Sequence, residues 1–338
     1  MATKRFPFSP FPSGWFCVGF SDELRAGASQ NRKLFGHDTV VFRTASGKPA
    51  MLEAHCPHMG AHLGKGGTLE GESLRCPMHG FCFDRRGDCV STPYGTKIPP
   101  AARARSWPLE EKHGVLLAYH DARGREPEWS VPELDMTGWT ALRSQTYRLR
   151  SHPQETSENS VDIGHFEAVH RYSQPTLLDG PRTEGPSLFM RYSFKRSPGA
   201  LRLFVRELEV EFEARVHGLG YSLVCAEIKA LGIQTRQLVL ATPTDGEDIE
   251  LRIALSVGPP TRHAPFAIRN LPWPIVANTF SVLGMREYAN DVGQDFAIWE
   301  NKTYLERPVL AKGDGPIPQY RKWCRQFYSE ESLPIAAE

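Results

Sequence analysis

The N-terminal third of the chain alternates apolar and polar residues in short runs that glycine and aspartate separate. Such runs lie at residues 15–18, 39–43, 50–53 and 114–120. Alternation with a period of two, bounded by turn residues, is typical of short antiparallel strands. The pattern therefore predicts a small all-β unit in this part of the chain.

The remaining two thirds combine this alternation with one long helical pattern. The region is predicted to start with a strand at 147–151. Alternating segments over 187–257 then predict a meander of half-buried strands, at 202–206, 208–216, 221–224, 237–240 and 249–253. Residues 282–307 repeat apolar side chains at helical spacing, and Pro308 ends that repeat. A long C-terminal helix against a curved antiparallel sheet is the helix-grip arrangement, which encloses an apolar cavity. We therefore predict an α+β fold.

A polar, proline-bearing segment that begins at residue 121 separates the two patterns. It predicts a boundary between an N-terminal all-β domain over 1–128 and a helix-grip domain over 129–338. A second break lies at 258–280, where five prolines exclude regular structure throughout. This segment is either a lid over the cavity or a plain connector.

Charge and hydropathy narrow the possible partners. The first 125 residues hold 17 Lys and Arg against 11 Asp and Glu, whereas the remainder holds 23 against 28. The basic excess is able to steer an acidic electron carrier, but a solvated lysine-rich surface explains it equally well. Basic runs with interleaved aromatic residues are absent from the sequence, so nucleic acid is not an expected partner. Neither a membrane span nor a secretory signal is expected, because long apolar runs are also absent.

Two short motifs in the N-terminal unit carry metal-binding side chains. They are Cys56-Pro-His58 and Cys76-Pro-Met-His79. When two cysteines hold one iron of a [2Fe–2S] cluster and two histidines hold the other, the cluster is of Rieske type. A structural zinc ion also accepts two cysteines and two histidines, but zinc loops usually pair like ligands within one loop. A Rieske cluster is therefore the preferred interpretation, with zinc as the alternative. Seven cysteines without a disulfide framework, together with cluster thiolates, indicate a reducing compartment, and we expect the cytoplasm.

A second group of polar residues lies near the start of the C-terminal domain. Asn159, Asp162 and His165 are spaced to share one helical face. His170 does not join them, because a step of five residues rotates about 140° beyond a full turn. Both imidazoles reach one metal only if the helix widens or breaks there. Periodicity alone favours two unrelated surface histidines.

Two stretches resemble parts of the Rieske non-haem iron oxygenases. Their Rieske domains resemble the stretch EAHCPHMGAHLGKG…LRCPMHGFCFD. Their mononuclear iron motif resembles the pattern N-x2-D-x2-H-x4-H, which here runs from Asn159 to His170. The resemblance covers nearly the whole chain. It implies a [2Fe–2S] cluster held by the four Cys and His residues of the first two motifs. It also implies an Fe(II) ion held by His165, His170 and a carboxylate from the late helix. Asp295 matches the family position of that carboxylate, and Asp291 is the alternative.

The same resemblance implies an assembly. Asp162 matches the carboxylate that, in the family, joins a Rieske histidine of one subunit to an iron histidine of the next, here His79 to His165. It therefore implies a homotrimer with head-to-tail contacts, and Asn159 is expected to support the iron ligands. The alternative within one chain is that Asp162 only orients His165.

Residues 298–304, 313–318 and 320–328 resemble cholesterol 7-desaturases and their bacterial relatives, with 3-ketosteroid 9α-hydroxylases close by. The chain is thus expected to be the terminal oxygenase of a monooxygenase or desaturase system. Such a system uses O2 and electrons from NAD(P)H, delivered by a reductase or ferredoxin, to hydroxylate or desaturate an apolar polycyclic substrate such as a sterol or steroid. Two alternatives are an oxygenase for an aromatic or alkaloid-like substrate and a sterol or lipid carrier with structural metal sites.

Overall fold

The computed structural model describes residues 5–95, 97–197 and 207–329, and internal contacts divide them into two units. The first unit comprises residues 11–134 and 242–247, and the second contains the other described residues. The domain boundary between residues 128 and 129 stays a prediction. Among the helices in the described ranges, none is both long and apolar enough to cross a membrane.

Short antiparallel strands build the first unit, as the alternating pattern predicts. They form three sheets. The first consists of β1 (Gly14–Phe20), β11 (Val115–His120) and β10 (Leu109–Lys112), and the second of β2 (Ser29–Leu34), β3 (His37–Arg43), β4 (Pro49–Glu53) and β9 (Ser106–Trp107). The third consists of β5 (Thr68–Glu70), β6 (Ser73–Arg75), β7 (Cys82–Phe83) and β8 (Cys89–Ser91). The loops after β4 and β6 carry the two Cys/His motifs. Leu63, Leu74 and Phe83 are fully buried in one apolar cluster with Cys56 and Cys76, so hydrophobic packing fixes both loops at their cysteines.

A seven-stranded sheet forms the second unit. Its strands, in spatial order, are β12 (Arg143–Leu149), β18 (Ile249–Val257), β17 (Ile233–Pro243), β16 (Tyr221–Ile228), β15 (Leu208–His217), β14 (Ser187–Arg196) and β13 (Ser173–Glu184). Five neighbouring pairs are antiparallel. The strand predicted at 202–206 lies outside the described residues.

Six helices accompany this sheet within the described residues: α1 (Pro153–Glu158), α2 (Gly164–Ala168), α3 (Phe266–Arg269), α4 (Trp273–Gly293), α5 (Phe296–Asn301) and α6 (Ile317–Cys324). Met285, Tyr288 and Val292 of α4 pack against the buried apolar side chains of β18. The predicted α+β fold, an all-β unit followed by a sheet with a long helix, is confirmed.

The predicted single helix over 282–307 is wrong at both ends. α4 begins at Trp273, within the proline-rich segment, because prolines at the first turn of a helix remove only N–H groups that have no partner there. The helix stops at Gly293, and α5 ends at Asn301, six residues before the expected end. Asp295 lies in the break between the two helices.

Candidate metal centres

The two loops of the first unit that carry the Cys/His motifs share one backbone geometry. In each loop the glycine four residues after the cysteine donates its N–H to the cysteine carbonyl, Gly60 over 2.8 Å and Gly80 over 3.0 Å. Both glycines have a positive φ, 77° and 66°, which residues with a Cβ adopt only at a cost. His58 and His79, which project from these matched turns, have ring centroids 4.7 Å apart.

The thiols of the two loops are buried side by side. Cys56 and Cys76 are each 2% exposed. Burial, together with the neighbouring Cys76 thiol, raises the pKa of the Cys56 thiol to about 11. Two adjacent buried thiolates need a cation to compensate them, and two imidazoles lie next to each other in the same loops. The donor set therefore fits a cluster with cysteines on one iron and histidines on the other.

The second motif runs from the end of α1 to just beyond α2: Asn159 caps the C-terminus of α1, Asp162 lies between the helices, His165 lies on α2 and His170 follows it. The N–H of Ile163 donates to the carbonyl of Asp314 over 3.2 Å, and after α2 the chain turns at Arg171, whose φ is 58°. His165 and His170 consequently have ring centroids 5.0 Å apart. A break in the helix, one of the two conditions that the spacing required, brings the imidazoles together.

Hydrogen bonds to Asp162 fix the orientation of the His165 ring. His165 Nδ1 donates to the Asp162 carbonyl over 2.5 Å, and the Asp162 carboxylate accepts the backbone N–H of His165 over 3.2 Å. Burial lowers the pKa of His165 to about 4, so the ring is neutral at pH 7. With the proton on Nδ1, the lone pair of Nε2 is available to a metal.

A buried carboxylate completes a group of three metal-binding side chains. His165, His170 and Asp295 offer ligand atoms that all lie within 4.8 Å of one another, and His170 Nε2 lies 3.5 Å from Asp295 Oδ2. Two ligands at right angles on one ion, each about 2.1 Å from it, lie about 3 Å apart. Burial raises the pKa of Asp295 to about 7, and His170 Nδ1 is buried without a hydrogen-bond partner among the described residues. Two histidines and one carboxylate fit the facial triad of non-haem Fe(II).

The residues around Asp295 distinguish it from its alternative. The Asn159 side chain lies near the Asp295 carboxylate and lowers the pKa of that carboxyl, which favours its charged form. The Asp291 carboxylate instead accepts a hydrogen bond from Tyr172 over 2.7 Å and pairs with Arg196 over 3.0 Å. Asp291 is thus engaged elsewhere, which favours Asp295 as the ligand.

Sequence analysis missed a buried ionic network behind this site. Glu155 and Glu158, on α1 directly before Asn159, are almost fully buried. Lys302 Nζ lies 2.7 Å from Glu155 Oε2 and 3.3 Å from Glu158 Oε1, and Arg321 contacts both oxygens of Glu158 over 2.7 and 3.1 Å. Two acidic residues on the six-residue helix that leads into a metal motif were the available signal, but exposed acids show the same pattern.

Comparisons with known proteins agree with both sites. Residues 14–105 match the Rieske [2Fe–2S] domain family, and residues 118–328 match the 3-ketosteroid 9α-hydroxylase C-terminal domain family. The first match decides in favour of a Rieske cluster over structural zinc.

Relatives match over most of the chain. Cholesterol 7-desaturase nvd 1 of Ciona intestinalis is 30% identical over 95% of this chain and 70% of its own length. The oxygenase component of a 3-ketosteroid-9-alpha-monooxygenase of Rhodococcus rhodochrous is 30% identical over 94% of this chain and 83% of its own. The crystal structure of dicamba monooxygenase bound to 3,6-dichlorosalicylic acid has a TM-score of 0.69 at 19% identity, covering 95% of this chain and 97% of that chain. That structural similarity shows the shared fold.

Proposed function

The chain belongs to the Rieske non-haem iron oxygenases with a 3-ketosteroid 9α-hydroxylase type of C-terminal domain, and we propose that it hydroxylates or desaturates a sterol or steroid. It is an enzyme, the terminal oxygenase of its system. The observation that carries the proposal is that one chain contains both a Rieske donor set and a buried His/His/Asp triad. Its sequence also matches steroid oxygenases over nearly its full length. This pairing favours an oxygenase over a lipid carrier.

In this proposal His165, His170 and Asp295 hold the iron, and Asn159 favours the ionised form of Asp295 against the effect of burial. When bound, the iron and the cluster supply activation of O2 and single-electron transfer. The protein supplies the orientation of the ligands: His165 is fixed in one tautomer by the Asp162 carbonyl, and burial keeps both imidazoles neutral. We propose that apolar side chains of the seven-stranded sheet line the site of a rigid apolar substrate.

We further propose that electrons come from NAD(P)H through a reductase or ferredoxin. They reach the cluster held by Cys56, His58, Cys76 and His79. The Asp162 carboxylate lies beside His165, its side chain about one third exposed, where a histidine of a neighbouring copy can approach it. We propose that it accepts a hydrogen bond from His79 of that copy, and a ring of three copies satisfies this contact for every subunit.

All seven cysteines are free thiols, and two of them are the proposed cluster ligands. Thiolate ligands persist under reducing conditions. We therefore propose that the protein works in the cytoplasm.

Turnover tests the proposal. Purified protein that holds both metal centres is combined with a surrogate reductase and ferredoxin, NADH, and a panel of sterols and 3-ketosteroids, and products are measured by mass spectrometry. A gain of one oxygen atom identifies a hydroxylase, and a loss of two hydrogen atoms identifies a desaturase. If every steroid is left unchanged while an aromatic or alkaloid substrate is oxidised, the steroid assignment is wrong and the oxygenase assignment stands.

A further inference from the structure

Five large apolar side chains are exposed within eighteen residues of the second unit. Their exposed fractions are high, at 83% for Phe266, 55% for Leu271, 66% for Ile275, 48% for Val282 and 50% for Leu283. Single exposed apolar residues are ordinary, but a local concentration of them marks a surface that contacts another apolar phase. We call these five side chains the α3–α4 patch.

The outer face of α4 carries the helical part of this patch. Ile275 and Val282 lie seven residues apart and therefore point about 20° from each other around the helix axis, with Leu283 beside them. Arg286 falls between Ile275 and Leu283 on the same face and is exposed. Ala277, Tyr288 and Val292 on the opposite face are buried against the sheet. An apolar stripe thus remains on the side of α4 that faces away from the core.

The charge around the patch is mainly positive, and Glu287, which follows Arg286, already pairs with Arg196 over 3.7 Å. Residues 251–286 contain four arginines and neither aspartate nor glutamate. Arg262, Arg269 and Arg286 are exposed, and in the described part of the chain they form no ion pair with a carboxylate. Glu227, which reaches this region from β16, pairs with His263 over 3.0 Å. The cations at the patch thus remain available to an external anion.

We propose that the α3–α4 patch docks the protein on an anionic lipid surface. Exposed Phe, Leu and Ile side chains flanked by arginines are the composition of segments that lie in a lipid–water interface. A protein partner with an acidic apolar surface would suit the same chemistry, but the mainly positive charge and the spread of the apolar side chains over α3, the proline-rich segment and α4 favour a fluid surface over a shaped one. The proposal concerns lipid binding and stands independently of the substrate proposed above.

Vesicle co-sedimentation tests the proposal with the full-length protein. Vesicles of phosphatidylcholine with phosphatidylglycerol should bind the protein, and vesicles of phosphatidylcholine alone should bind it at least tenfold more weakly. Each arginine near an anionic surface strengthens partition about fivefold, so R262Q/R269Q should lower it about 25-fold. Binding should weaken as salt rises from 0.1 to 0.5 M.

Matched variants distinguish lipid binding by the α3–α4 patch from lipid binding by any exposed apolar side chain. F266S/I275S should lose at least ten-fold in vesicle binding, whereas L305S/V309S, which removes equally exposed apolar side chains outside the patch, should bind like wild type. Retained cluster absorbance and an unchanged melting temperature confirm that the variants are folded.

Three outcomes overturn the proposal. Wild-type protein that does not bind anionic vesicles refutes it directly, and equal binding by F266S/I275S assigns lipid binding to another surface. A change in oligomeric state in F266S/I275S, measured by sedimentation velocity, instead makes the patch a contact between copies of this chain.

Discussion

Replacing Lys302 with methionine tests whether the buried ionic network supports the iron ligands. Lys302 follows α5, which begins directly after Asp295, and its ammonium lies between Glu155 and Glu158 on α1. The network therefore connects the segment that carries the carboxylate ligand to the helix that leads into the histidine motif. Methionine keeps the length of the side chain and removes only its charge and hydrogen bonds.

The structure sets the magnitude of the effect. Glu158 keeps both contacts to Arg321, but Glu155 is 0% exposed and loses its close cation. Removing one partner of a buried ion pair costs about 3 kcal/mol, because the remaining charge must either stay buried or take up a proton. For a domain of this size the loss corresponds to a fall in melting temperature of about 6–12 °C. Fe(II) affinity should fall about tenfold, as it does when groups that orient metal ligands are removed.

Two measurements and two control variants check this prediction. Circular dichroism follows unfolding while visible absorbance follows the cluster, and Fe(II) titration of iron-depleted protein gives the affinity. The double variant E155Q/K302M should recover most of the stability, because it removes the uncompensated charge, and K302R should retain it. A K302M protein as stable as wild type, with unchanged Fe(II) affinity, would refute the argument that this network supports the site.

Three further results are expected. His165→Ala should lose the mononuclear iron and keep the cluster, which iron analysis and the electron paramagnetic resonance signal of the reduced cluster distinguish; retained mononuclear iron contradicts the ligand assignment. Asp162→Ala should keep both metal centres and lose at least 90% of turnover, and wild-type turnover in this variant excludes the proposed electron route. Burial lowers the pKa of His120 to about 4, whereas its unfolded value is about 6.5. Its contribution to stability is therefore complete above pH 6.5 and is lost as pH falls towards 4. Urea unfolding at pH 7 and at pH 5 gives the free energy of unfolding that each protein loses on acidification. That loss should be about 2 kcal/mol smaller for His120→Phe than for wild type, and equal losses refute the assignment of this pH dependence to His120.

The cluster motifs were readable from sequence because their geometry is local. Each loop holds one cysteine and one histidine within four residues, and a glycine with positive φ closes each turn. The strands were readable for a similar reason, since half-buried strands impose alternation on every segment. Neither inference depends on contacts with distant parts of the chain.

The iron ligands were harder to read, because distant contacts determine them. The helix α2, which carries His165, ends at Ala168, and the chain turns at Arg171, so His170 leaves the helical path that would keep the two rings apart. Periodicity does not show where α2 ends, and it favoured unrelated histidines. Resemblance to a family supplied the pairing that spacing alone opposed. The choice between Asp291 and Asp295 was likewise decided by Tyr172 and Arg196, which lie far from both in sequence.

The side chains of segment 298–304, which resembles steroid oxygenases, have a physical role in the fold. Trp299 is buried in the core of the second unit, Lys302 pairs with Glu155, and the Tyr304 ring lies under the Arg321 guanidinium at 4.3 Å. Each of these contacts fixes α5, and α5 fixes the position of the carboxylate in front of it. Residues 298–304 therefore help to position the carboxylate ligand of the iron site. Substitutions that change substrate preference are accordingly expected in the sheet walls, and substitutions within this segment are expected to act first on metal binding.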